Sequence, residues 1–235
     1  MGALKKSEVL VFDLYADYAQ LKKYYTTMSP LSFAIPPGTV IRGILGALIG
    51  IDKSESPEYF HGIDLSLRLI NPVKKVNIPT NLLKTTSRKH FARYENHKPT
   101  NIEFAKDVRY RIYLKTEQKE IYASIKKHLI NHSSVYTLSV GISEALANFE
   151  NFRETTVESN ILEKTTIDSI IPTDLISDPD FKEVEIFTTT LPMKMMNDRE
   201  IIEYREFAFE RRGLPIRAKV ESAVKLSSGD HVVFF

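Results

Sequence analysis

The segment Glu8–Tyr15 constrains the fold more than any other. Leu10, Phe12 and Leu14 alternate with Val9, Val11, Asp13 and Tyr15, so a strand here is apolar on nearly both faces. Such a strand belongs in the middle of a sheet with material packed against each side. A solvated or edge position would leave several large apolar side chains in water.

The other elements follow from periodicity around that strand. Pro36 and Pro37 precede a run in which Val40, Ile41, Ile44, Leu45 and Leu48 fall on one helical stripe. Proline suits a helix's first turn because its missing N–H has no helical partner there. Gly43, Gly46 and Gly50 are poor helix formers, so close approach to the sheet is their expected benefit. Ile63–Leu69 alternates as a strand, with Ile63, Leu65, Leu67 and Leu69 inward. Val108–Lys115 does the same, with Val108, Tyr110, Ile112 and Leu114 on one face. Thr116 is placed to cap a helix from Glu117 to Ile130, whose stripe is Ile121, Tyr122, Ile125 and Leu129. Leu146–Glu154 reads as a further strand.

The order is β-α-β-β-α-β, so the expected class is α+β, a ferredoxin-like (RRM-like) sheet with two helices on one face and the other face open. That architecture serves RNA-recognition modules and many unrelated proteins, so it does not decide function. Between the second and third strands, residues 71–106 are too long and too polar for a plain loop. They read as an inserted hairpin arm over about 77–106. The ferredoxin-like domain is expected over 1–158 and a polar, acidic linker over 159–183. Extended segments at Val184–Thr190, Ile201–Phe209 and Val220–Phe235 make a small β appendage over 184–235.

Charge is distributed unevenly. The net charge is +2, yet residues 74–132 carry 14 basic and 5 acidic side chains, whereas residues 133–210 carry 6 and 16. The basic middle suits a polyanion, and the acidic block suits protein neighbours. There is no cysteine, which excludes disulfides, thiol catalysis and cysteine-based zinc sites and fits a reducing, cytoplasmic setting. No apolar signal-peptide core precedes Ser7, and Gly43–Ile51 is too short to span a bilayer, so no membrane role is expected.

Three groups of residues point to RNA. On the arm, Arg88, Lys89, His90, Arg93, Tyr94 and Lys98 interleave cations with aromatic rings, as backbone contacts and base stacking require. The competing reading is a solvated hairpin. On the outward face of the third strand, Arg109, Arg111 and Tyr113 combine phosphate-neutralising charge with a stacking ring, unless the C-terminal appendage covers that face. In the polar, aromatic stretch Asp17–Pro30, Lys22, Lys23 and Tyr25 form the third group. The N–H groups at the start of the first helix can also seat a phosphate, with Arg42 one turn in.

Catalytic and cofactor signals are weak. His128 and His132 are spaced for a metal but lack an acidic third ligand, and a helix C-terminus favours imidazolium there for structural reasons. His90 or His97 with Tyr94 and Lys89 offers groups for metal-independent RNA cleavage, though an arm rarely holds such geometry alone. No P-loop, dinucleotide fingerprint or hydrolase elbow is present, so no cofactor is expected.

Three stretches carry a resemblance: residues 11–50 (VFDLYADYAQLKKYYTTMSPLSFAIPPGTVIRGILGALIG), 143–152 (SEALANFENF), and 191–219 (LPMKMMNDREIIEYREFAFERRGLPIRAK) with the ending DHVVFF. Together they resemble the fifth family of CRISPR-associated RAMP proteins in its type I-B form. Ala16 stands where that family commonly has glycine, and Leu21 where it commonly has phenylalanine. The resemblance implies a ferredoxin-like fold with a thumb-like hairpin and a place in Cascade, the RNA-guided surveillance complex. There the family member caps the crRNA 5′ handle, touches the backbone and large subunits, and meets target DNA only indirectly. In most such systems another protein cuts the precursor. In one subtype the family member does so itself, which makes a metal-independent endoribonuclease the alternative, beside a protein-only scaffold.

Overall fold

The computed structural model describes residues 7–83, 97–180, 182 and 184–235. Strand β1 (Glu8–Ala19) lies between β4 (His97–Lys115) and β5 (Asn148–Asn160), antiparallel to both. Beyond β4 comes β2 (Asp64–Leu69), and beyond β5 come β12 (Ala223–Leu226) and β13 (His231–Val233), giving the order β13-β12-β5-β1-β4-β2. The central place expected for Glu8–Tyr15 is thus the observed one. The protein is an α+β chain dominated by antiparallel pairing.

Two helices cover one face. Helix α1 (Gly38–Ile49) and helix α3 (Lys119–Ile130) bury Ile41, Ile44, Leu45, Leu48, Ile121, Ile125 and Leu129 against Leu10, Phe12, Leu14, Tyr110, Ile112 and Leu114. The short α2 (Ser56–Tyr59) sits beside α1. The α1 glycines do not serve the sheet. A Cβ on Gly38 would meet Met193 Cε at 2.6 Å, and one on Gly46 would meet Ser56 Oγ at 3.0 Å. Their close approaches are therefore to β9 (Ile186–Met195) and α2, while Gly43 faces open space.

The opposite face is covered, contrary to the open face expected from the element order. Val9, Val11, Tyr113, Leu226 and Val232 form a second buried cluster beneath the β12–β13 hairpin. Leu65 and Phe235 then exchange two main-chain hydrogen bonds (3.0 and 2.9 Å), joining the segment after β13 to the edge strand β2. The sheet closes on itself and spends its free edge, which an open sheet would leave exposed. Val9 and Val11 explain the closure, since both need cover that the helices cannot supply.

The stretch 159–183, expected as a linker, holds β6 (Thr165–Ile167), β7 (Ile171–Pro172) and β8 (Ile176–Ser177). These pair with β11 (Ile216–Val220) and β10 (Ile201–Glu210), while β9 pairs with the other edge of β10. Strands of two or three residues carry no readable period. Leu191, Met193, Phe207 and Phe209 join the main core rather than a separate one.

The arm begins earlier than expected. Strand β3 (Lys74–Leu83) pairs with β4 from Lys74–Lys106 to Leu83–His97, so the third sheet strand and the arm's return strand are one continuous element. At Asp107, whose φ is 52°, the alternation inverts, and Ala105 takes the core side below Val108.

Candidate nucleic-acid interface

The sequence candidates separate once they are placed. Arg111 lies under the β12–β13 cover and donates to Asp13 through Nε (2.7 Å) and Nη2 (3.0 Å). Hydrogen bonding to Asp13 raises its pKa further, so it is a fixed internal cation. The Tyr113 ring is fully buried in the second cluster and offers no stacking face. Arg109 is partly exposed, pairs with Glu150 (2.7 Å) and lies over the Tyr15 ring. The third-strand group is therefore structural, and its acidic partners are Asp13 and Glu150.

Arg42 is also corrected. It is 7% exposed and donates to the carbonyls of Met193 (2.9 Å) and Ile63 (3.2 Å). Burial lowers its pKa, partly offset by Glu203 and Asp64. It ties α1 to β9 and to the chain entering β2. Met193 crowds Gly38, so the start of α1 is occupied by protein rather than open to a phosphate.

On the arm, Lys98 is exposed near the far end of the described ladder. Arg88, Lys89, His90, Arg93 and Tyr94 lie outside the described residues. His128 and His132 do not converge: the His128 ring meets Ser133 Oγ (3.2 Å), and His132 packs on Phe149 (4.6 Å between centroids). Among the described residues, no group of three or more His, Cys, Asp or Glu is placed to hold a metal ion. No helix among them is long and apolar enough to cross a membrane.

The third group does assemble. The segment from Leu21 to Phe33 doubles back on itself, with Lys23 N–H donating to Leu31 O (2.8 Å) and Phe33 N–H to Leu21 O (2.7 Å). Its turn carries Lys22 and Tyr25 outward, and Tyr25 is 61% exposed. Lys23 Nζ stands 5.8 Å from the Tyr25 and Phe33 ring centres. Tyr24 packs edge-on against Tyr25 (5.1 Å) and meets Tyr204 of β10 (5.2 Å). Three half-exposed tyrosines and two lysines free of ion pairs among the described residues thus share one surface.

The root of the arm pins this segment. Glu103 of β4 accepts from Ser32 N–H (3.0 Å) and Lys75 Nζ (2.8 Å), and Lys75 also donates to the Ser32 carbonyl (2.6 Å). Burial opposes the Glu103 charge, but Lys75, the Ser32 N–H and Lys23 outweigh it and hold the carboxyl below the ordinary range. The tyrosine surface and the arm are therefore one mechanical unit.

Beside this unit, a groove of about 390 Å³ runs between the arm root and the β9–β10 ribbon, with Lys23, Lys75, Phe187 and Arg211 on its walls. Tyr24, Tyr204, Phe187 and Arg211 were not among the sequence candidates. The tyrosine doublet was a usable signal. Phe187 and Tyr204 come from remote strands and Arg211 from the turn after β10, and no local pattern brings them to this surface.

No protein-family model and no curated protein sequence matches the chain. Solved structures do. A chain of a CRISPR RNA-guided surveillance complex superposes with a TM-score of 0.57 at 9% identity, covering 90% of this chain and 92% of that one. A CRISPR protein from Archaeoglobus fulgidus superposes with a TM-score of 0.59 at 10% identity, covering 96% and 98%. At these identities the likeness is one of fold, and it extends over nearly the full length of each chain.

Proposed function

We propose that the chain is a crRNA-binding subunit of a CRISPR RNA-guided complex, of the CRISPR-associated RAMP type, that holds RNA without cutting it. The observation that carries this reading is the surface where Lys22, Lys23, Tyr24, Tyr25 and Tyr204 stand together beside the arm root. Cations outside direct ion pairs neutralise phosphates, and exposed rings stack on unpaired bases, which is the chemistry of single-stranded RNA. The full-length fold likeness to a surveillance-complex chain supports the setting. The antiparallel order β5-β1-β4-β2, with α1 and α3 on one face, supports the ferredoxin-like reading.

The finer reading is a type I-B Cascade subunit that caps the crRNA 5′ handle. The tyrosine surface and the arm grip the RNA, and other faces meet the backbone and large subunits. The non-catalytic reading rests on the described histidines. His128 and His132 face separate structural partners, and His97 lies on the outer part of the arm.

Titration of labelled repeat RNA against the triple variant Lys22→Ala, Lys23→Ala, Tyr25→Ala is the test. Losing two phosphate contacts should reduce the slope of log K against log salt by about 1.4, at roughly 0.7 per contact for a single strand. Thermal stability should hardly change, because exposed charges contribute little to folding. Unchanged affinity and slope in a folded variant would remove this surface from the RNA site. The same mixtures, held in EDTA with precursor RNA, should leave the precursor intact. A specific cut would move the assignment to a metal-independent endoribonuclease.

A further inference from the structure

The groove beside the tyrosine surface has a composition that the RNA-binding reading does not by itself require. Phe187 is 46% exposed, yet its ring is held in place by stacking on Phe209 beneath it (6.2 Å, 30° between planes), and Phe209 belongs to the main core. The two residues face each other across the β9–β10 ladder, so the platform is rigid. Arg211 is anchored through its main chain, accepting from Val73 N–H (2.8 Å) and donating to Glu185 O (3.3 Å). Its guanidinium has no ion-pair partner among the described residues, and neither has Lys23. Lys75, the third cation of the groove, is balanced by Glu103. Thr188 and Thr189 also line the groove, and alternation along β9 places the Thr189 side chain on the Phe187 side, where its hydroxyl makes no hydrogen bond among the described residues.

We infer that this groove takes one unpaired nucleotide of the bound RNA, with its base on the Phe187 ring and its flanking phosphates at Arg211 and Lys23. The inference rests on the RNA-binding reading and names a second RNA subsite within it. A fixed aromatic face with cations on either side is how single-stranded nucleic acid is held without sequence readout. The Thr189 hydroxyl supplies a donor and an acceptor for a sugar or a base edge. The volume lies at the lower end of small-ligand sites, roughly 300–1,000 Å³, which suits one nucleotide rather than a stacked run. Lys23 links the two subsites, since its ammonium serves both the groove and the Tyr25 ring.

The experiment uses the full chain and repeat RNA in which uridines are replaced by 5-iodouridine. Irradiation should cross-link the RNA to Phe187, located by mass spectrometry of the digested adduct. Phe187→Leu keeps the packing on Phe209 and removes the stacking face. It should weaken RNA binding roughly 5- to 150-fold, the equivalent of one stacked base, and leave the salt slope unchanged. Arg211→Gln keeps the main-chain bonds and should instead lower the slope by about 0.7. Both variants should melt at the wild-type temperature. RNA binding with no cross-link at Phe187 and no loss in either variant would overturn the groove assignment and leave the RNA-binding reading standing. Absence of RNA binding by the unaltered chain would overturn both.

Discussion

Asp13→Ala is expected to destabilise the protein by about 3–5 kcal/mol, the cost of leaving a covered charge without its partner. Asp13 is 1% exposed and accepts three hydrogen bonds, two from Arg111 and one from Asn151 Nδ2 (3.0 Å). Removing the carboxylate leaves the Arg111 guanidinium beneath the β12–β13 cover without its hydrogen-bonded partner, with only the longer-range charge of Asp230 to offset it. Asp13→Asn keeps the shape and tests the charge alone. Burial opposes the charge of Asp13, yet hydrogen bonds from Arg111 and Asn151, with the charges of Arg111 and Arg109, outweigh it and lower its pKa. A carboxyl whose pKa is lower in the folded state stabilises fully above its unfolded pKa, about 3.9, and less as pH falls through that value and below. The stability gap between wild type and Asp13→Asn should therefore be constant from neutral pH to about 5 and narrow below about 4. Urea melts across that range measure it. A wild-type melt for Asp13→Ala at pH 7 would show that the second face is not closed as described.

Ile112→Ala should cost about 2–5 kcal/mol, with the spread set by how far the surroundings collapse into the space left. Ile112 is fully buried at the centre of the sheet, opposite Phe12 on β1 and Leu67 on β2, within the cluster that holds both helices. The midpoint of urea unfolding should fall while the slope stays fixed, because the folded surface barely changes. Arg109→Ala, three residues away on the same strand, is the control. Its ion pair with Glu150 is partly solvated and worth about 0–1 kcal/mol. Equal losses in the two variants would contradict the assignment of their faces.

How much was legible varied with the length scale of the signal. The helices, the core strands and the inward set Val108, Tyr110, Ile112 and Leu114 were readable because each repeats over five residues or more. The short strands at Thr165–Ile167, Ile171–Pro172 and Ile176–Ser177 were not readable, because so few residues form no pattern. Of the RNA candidates, Lys22, Lys23 and Tyr25 stand together on one surface because a single turn holds them. Arg109, Arg111 and Tyr113 were misplaced because alternation says which residues share a face and not what lies over it. A warning was present in β1: Val9 and Val11 stand on the face that also holds Tyr113, and two valines there already called for cover.

The sequence by itself determined the central strand, the two helices on one face and the basic arm, since each follows from local periodicity or composition. Tertiary structure alone decided that the sheet closes through Leu65 and Phe235, that Arg42 and Arg111 are internal, that Tyr204 meets Tyr24, and that Phe187 and Arg211 share a groove with Lys23. The reason is physical. An isolated arginine or phenylalanine carries the same side chain whether buried, paired or exposed. Only segments brought together from far along the chain supply the carboxylate, carbonyl or groove that fixes its role, as Asp13 does for Arg111 across 98 residues and Met193 for Arg42 across 151.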